Sequence, residues 1–86
     1  MKRDHHSEAE VRLRELLREK RLEKGVTQLA LSLALDNTCN FVFKYESGER
    51  FLTFTEVILI CQHLDIDPHP LVDEIARRTV MKTPAR

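Results

Sequence analysis

Between Gly25 and Arg50 the chain has room for two helices of barely two turns each, and this stretch constrains the fold more than any other. Gly25 stands where a left-handed residue ends a preceding helix. Thr27 is a good N-cap for a helix from Gln28 to about Leu35. Asp36-Asn37 are turn formers that tolerate unusual backbone angles. Thr38 is the expected cap of a second short helix, about Cys39 to Glu46, which Ser47-Gly48 then ends. Helices this short are not stable alone in water. They need longer neighbours to pack against.

The flanking sequence supplies those neighbours. Ser7-x-x-Glu10 is a capping box that opens a helix running to about Lys24. Val11, Leu13, Leu16, Leu17 and Leu22 give it an apolar stripe, and Glu15, Glu19 and Glu23 alternate with Arg12, Arg18 and Arg21 on its wet side. A second capping box, Thr53-x-x-Glu56, opens a helix over Phe54 to Leu64, with Val57, Ile58, Ile60, Cys61 and Leu64 facing the core. Asp67-Pro68 starts a fifth helix, proline being harmless in a first turn. Leu71, Val72 and Ile75 are expected to pack it back. The expectation is an all-α, compact five-helix domain over residues 7–78, with residues 1–6 disordered and 79–86 a loose basic tail.

Composition narrows the function. The formal net charge is zero, whereas nucleic-acid binders usually show a basic balance or a basic face. Acidic residues dominate from Phe51 to Ile75, where no lysine or arginine occurs. No apolar run is long enough for a membrane span, and the N-terminus lacks an apolar signal core, so a cytoplasmic protein is expected. Cys39 and Cys61 have no zinc spacing and read as reduced thiols. Cys61 is most simply a core thiol, while Cys39, expected at a helix start, is a conceivable redox sensor. His5-His6 read as part of a polar terminus, and His63 and His69 as isolated surface or helix-end residues, so no metal site is expected. No Gly-rich phosphate loop, nucleophile–base set or carboxylate pair stands out. Neither an enzyme nor a cofactor or small-molecule ligand is expected.

The ordered set Arg21, Gly25-Val26-Thr27-Gln28, Leu31, Leu35, Val42, Lys44-Tyr45-Glu46-Ser47-Gly48-Glu49-Arg50 and Leu64-Asp65-Ile66-Asp67-Pro68 resembles the Cro/lambda-repressor (XRE-type) helix-turn-helix DNA-binding family. The resemblance runs from about Leu13 to Ile75 and places the helix-turn-helix at about residues 27–46. It implies a lambda-repressor-like domain of a bacterial or phage transcriptional regulator that binds double-stranded DNA as a homodimer. It makes the second short helix the recognition helix. Cys39, Asn40 and Lys44 then stand at base-reading positions, and the Asn40 amide offers the donor and acceptor that match adenine in the major groove. Thr27, Gln28, Thr38 and Arg50 stand at phosphate-contacting positions. Arg21 and Glu46 match a structural ion pair of the family.

Four departures argue for a different partner. The outer face of the first short helix, polar in relatives, is apolar here at Leu29, Ala30, Leu33 and Ala34. Phe43 stands where a subgroup of relatives has Ser, and Phe51 where it has Arg. Cys39 and Asn40 replace its Gln and Ser. Losing Gln, Arg and Ser removes hydrogen-bonding capacity and charge together. Leu29, Leu33, Phe43 and Phe51 are therefore either a protein-binding or self-associating patch, or are covered within the monomer by a terminus.

Overall fold

In the computed structural model, which describes residues 4–79, five helices follow one another: α1 (Glu8–Glu23), α2 (Gln28–Ala34), α3 (Phe41–Ser47), α4 (Phe54–Leu64) and α5 (Pro68–Arg78). The described residues form no strand. The expected caps at Ser7, Thr27 and Thr53 act where the sequence puts them. The Ser7 hydroxyl accepts the Glu10 N–H at 3.2 Å, the Thr27 hydroxyl accepts that of Ala30 at 3.0 Å, and Thr53 and Glu56 close a reciprocal capping box. Asp67 Oδ1 accepts the His69 N–H at the head of α5. Gly25 takes a left-handed φ of 70° after α1, and Asp36 takes φ 56° after α2.

One boundary differs. The second short helix begins at Phe41, not at Cys39. The Asn37 side chain accepts the Thr38 N–H at 2.9 Å, and the Thr38 carbonyl accepts the Phe41 N–H at 3.1 Å. Residues 38–40 therefore form a turn, Asn40 occupies the cap position, and Thr38 caps nothing.

The core centres on Leu17 of α1, which packs with Leu31, Phe41, Val42, Tyr45, Ile60, Cys61, Leu64 and Leu71. α1 is the spine, touching α3, α4 and α5, while α2 lies on α3 and α4. Burial of this apolar set is the main term holding the short helices in place. A charged strap ties α5 to α1. Arg12 Nε donates to Glu74 at 2.6 Å, and Arg78 bridges Glu8 at 2.9 Å and Glu74 at 3.3 Å.

Two expected core residues point outward. Leu22, near the end of α1, is 53% exposed, and Val72 lies on the exposed side of α5. The N-terminal expectation covered residues 1–6, of which 1–3 lie outside the described residues. Asp4–Ser7 form a turn: the Asp4 carbonyl accepts the Ser7 N–H, and the His5 carbonyl accepts from Arg14 Nη1 at 2.9 Å. Of the expected basic tail, residues 80–86 lie outside the described residues.

Candidate nucleic-acid interface

The α2–turn–α3 unit is fixed by a buried hydroxyl. Ser32 donates to the Gln28 carbonyl at 2.8 Å and accepts the Val42 N–H at 3.1 Å. Val42 is the second residue of α3, where an N–H is left without an intrahelical partner. Such a group is normally satisfied by the side chain at the cap position. Here Ser32 satisfies it from the neighbouring helix, and Asn40 makes no capping bond. The Asn40 amide is therefore exposed and uncommitted among the described residues.

Lys44 lies one helical turn after Asn40, so the two side chains share a face. Its carbonyl accepts the Glu49 and Arg50 N–H groups at 2.9 and 3.2 Å, and its ammonium group is exposed. Thr27, Thr38 and Cys39 are exposed on the same unit, Thr38 and Cys39 in the turn before α3.

Behind this surface stands a buried ion pair. Arg21 Nε and Nη2 donate to Glu46 at 2.7 and 3.1 Å, with the two side chains 7% and 4% exposed. Arg21 Nη1 donates to the Val26 carbonyl at 2.8 Å, and Gln28 Nε2 donates to Glu46 at 2.9 Å. The group locks the end of α1, the start of α2 and the end of α3 together. It also takes up one amide hydrogen of Gln28, a residue placed at a phosphate position by resemblance.

The sequence matches a family profile described as helix-turn-helix, of the Cro/C1 type, over residues 17–71. The chain belongs to that family. Its members are DNA-binding regulatory domains, not enzymes. Neither the curated proteins nor the solved structures contain a match to this chain.

Within this helix-turn-helix domain, Arg50 is engaged internally. Its Nη1 and Nη2 donate to the two Glu56 carboxylate oxygens at 2.9 and 2.8 Å, Nη1 also donates to the Phe51 carbonyl at 3.0 Å, and the guanidinium lies 4.8 Å above the Phe41 ring. The hydrogen bonds from Arg50, joined by that from the Thr53 N–H, hold the Glu56 carboxyl down at about 2, and the Arg50 guanidinium is raised in turn. The positive charge expected at this position is paired with a carboxylate.

Other cations stand closer to the unit than the sequence pattern suggested. Arg18 lines a hollow of about 250 Å³ together with Gln28, Phe43, Glu46 and Ser47. The Arg14 guanidinium lies against Gly48, where an added Cβ would come within 3.2 Å of it. Arg14, Arg18 and Arg21 recur at helical spacing, which is the signal that could have separated them from Arg12, which faces α5.

The apolar departures split. Leu29, Leu33 and Phe43 are 52%, 59% and 52% exposed, so nothing among the described residues covers them. Phe51 leaves the group: it is half-buried, with its ring stacked on His5 at a centroid distance of 4.0 Å. Phe54, 70% exposed at the start of α4, is a further large apolar residue left uncovered among the described residues. Among the described residues no cluster of side chains suits a metal ion, and no helix is long and apolar enough to cross a membrane.

Proposed function

We propose that this protein is a sequence-specific transcriptional regulator of the Cro/repressor type that binds duplex DNA as a homodimer on a two-fold site. The observation that carries this reading is the exposed pair Asn40 and Lys44, one turn apart at the head of α3, with Asn40 relieved of capping by Ser32. In this reading Asn40 pairs with an adenine edge and Lys44 reaches guanine, with Cys39 beside them. Thr27, Gln28 and Thr38 set the register on phosphates. Arg14 and Arg18 of α1 add phosphate contacts, and Arg50 adds one when it is released. Few such contacts per protomer make a dimer necessary for useful affinity.

The test is selection of bound genomic fragments by purified protein near physiological salt, beside an Asn40→Ala/Lys44→Ala double variant. A two-fold motif enriched by the wild type and lost by the variant supports the reading. Failure of the folded wild type to enrich any motif refutes it.

A second reading is favoured by the exposure of Leu29, Leu33 and Phe43. On this reading the domain grips a protein, or a second copy of itself, through the outer faces of α2 and α3, at the expense of DNA binding. High salt separates the two. Phosphate-driven association weakens steeply with salt, while apolar association does not.

A further inference from the structure

Arg50 follows the end of α3, at a position where the resemblance puts a phosphate, and the fold gives it an anion of its own. The two Glu56 oxygens meet the Nη1 and Nη2 edge at 2.9 and 2.8 Å. A carboxylate presented in this bidentate way offers a guanidinium what a phosphate offers it. Glu56 is itself fastened to the head of α4, where it accepts the Thr53 N–H at 2.9 Å. It therefore cannot travel with Arg50 toward another partner. The Nη1 group is used further by the Phe51 carbonyl. A phosphate approaching the remaining edge of the guanidinium would meet a neutral pair.

We infer that Glu56 is an internal competitor for the DNA backbone: it occupies Arg50 in place of a phosphate and holds duplex affinity below what the cations of this surface would otherwise give. This rests on the DNA-binding reading above. The exchange is costly for DNA in two ways. Arg50 gives up one bidentate partner to gain another, and the stranded Glu56 carboxylate then repels the phosphate. A paired arginine also displaces no counterion, so the contact adds nothing to the salt dependence until the pair opens.

The experiment is fluorescence anisotropy of a short labelled duplex of mixed sequence, titrated with the protein at a series of salt concentrations. Glu56→Gln keeps an acceptor for the Thr53 N–H, so the α4 cap survives. Glu56→Asp keeps the charge but, one methylene shorter, draws the carboxylate back from Arg50 and from the Thr53 N–H alike. Both variants are expected to bind more tightly than the wild type, and Glu56→Gln is expected to steepen the salt slope by about 0.9, one phosphate contact. The gain must vanish in an Arg50→Gln background. Glu49→Gln, an exposed acid next in sequence to Arg50, reports the general effect of removing negative charge. Wild-type binding with an unchanged slope in Glu56→Gln overturns the inference and leaves the DNA reading intact. So does a gain that persists without Arg50, or that Glu49→Gln reproduces in full. If Glu56→Gln fails to melt cooperatively, Glu56→Asp decides alone, and looser binding by it overturns the inference. Absence of duplex binding by the wild type and every variant overturns both.

Discussion

Ser32 caps α3 from α2. Its hydroxyl accepts the Val42 N–H at 3.1 Å while donating to the Gln28 carbonyl at 2.8 Å, and it is completely buried. One small polar side chain thus joins the two short helices and spares the Asn40 amide from local work. Ser32→Ala leaves the Val42 N–H buried without a partner, which is expected to cost about 1–3 kcal/mol. Urea denaturation measures the loss. A change below about 0.5 kcal/mol would mean that another group, Asn40 included, had taken over the cap.

The pair Arg21–Glu46 is expected to be the most sensitive polar site. Both side chains are almost wholly buried, and Glu46 also serves Gln28. Removing one partner strands the other, at a cost of about 3–5 kcal/mol. Arg21→Met and Glu46→Leu should each be strongly destabilising, whereas the double substitution should recover much of the loss. Additive losses in a denaturant double-mutant cycle would show that the two residues act separately.

Tyr45 is expected to behave in the opposite way. Its hydroxyl is buried and has no hydrogen-bond partner among the described residues, and burial raises its ionisation well above the ordinary phenol range. Tyr45→Phe keeps the ring packed edge-on against Phe41 and removes an unsatisfied group. Stability should hold or rise by about 1 kcal/mol. A clear loss in the melting temperature would point to a bound water on that hydroxyl.

Acid stability should depend on Glu56. Its folded carboxyl is held at about 2 against an ordinary value of 4.5, chiefly by Arg50. A lowered folded value means that the stabilisation is present above the unfolded value and is lost as pH falls from about 4.5 toward 2. Glu56→Gln should flatten the fall in stability across that window, so that its cost is full and pH-independent above about 4.5 and disappears toward pH 2. Unfolding midpoints measured across the acid range check this.

The outer face of α2 should be tolerant. Leu29 and Leu33 are more than half exposed, so Leu29→Ser/Leu33→Ser is expected to change folding stability by no more than about 0.5 kcal/mol per site. Sedimentation of wild type and variant separates the two readings of this face. Loss of self-association in the variant assigns it to a protein contact, and unchanged behaviour leaves the face without that role.

The helix order, the caps at Thr27, Thr53 and Asp67, and the left-handed residues at Gly25 and Asp36 were all legible from sequence. Each depends on interactions within a few residues along the chain, which local spelling records. The Arg21–Glu46 pair was legible only through resemblance, because its partners are 25 residues apart. α3 begins two residues after the start that Thr38 spells. Thr38 looks like a cap, but the actual cap, Ser32, lies on another helix and has no local signature.

By itself, the sequence determined the five helices, most of their ends and the all-α class, and the resemblance proposed which residues face DNA. Tertiary structure decided what those residues are free to do. It paired Arg50 with Glu56, tied Gln28 to Glu46, turned Arg14 and Arg18 toward α3, and stacked Phe51 on His5 while leaving Leu29, Leu33 and Phe43 uncovered. The reason is one of range. Helix formation and capping are settled by hydrogen bonds between near neighbours, whereas the availability of a charge or an apolar face depends on which distant side chain packing brings beside it.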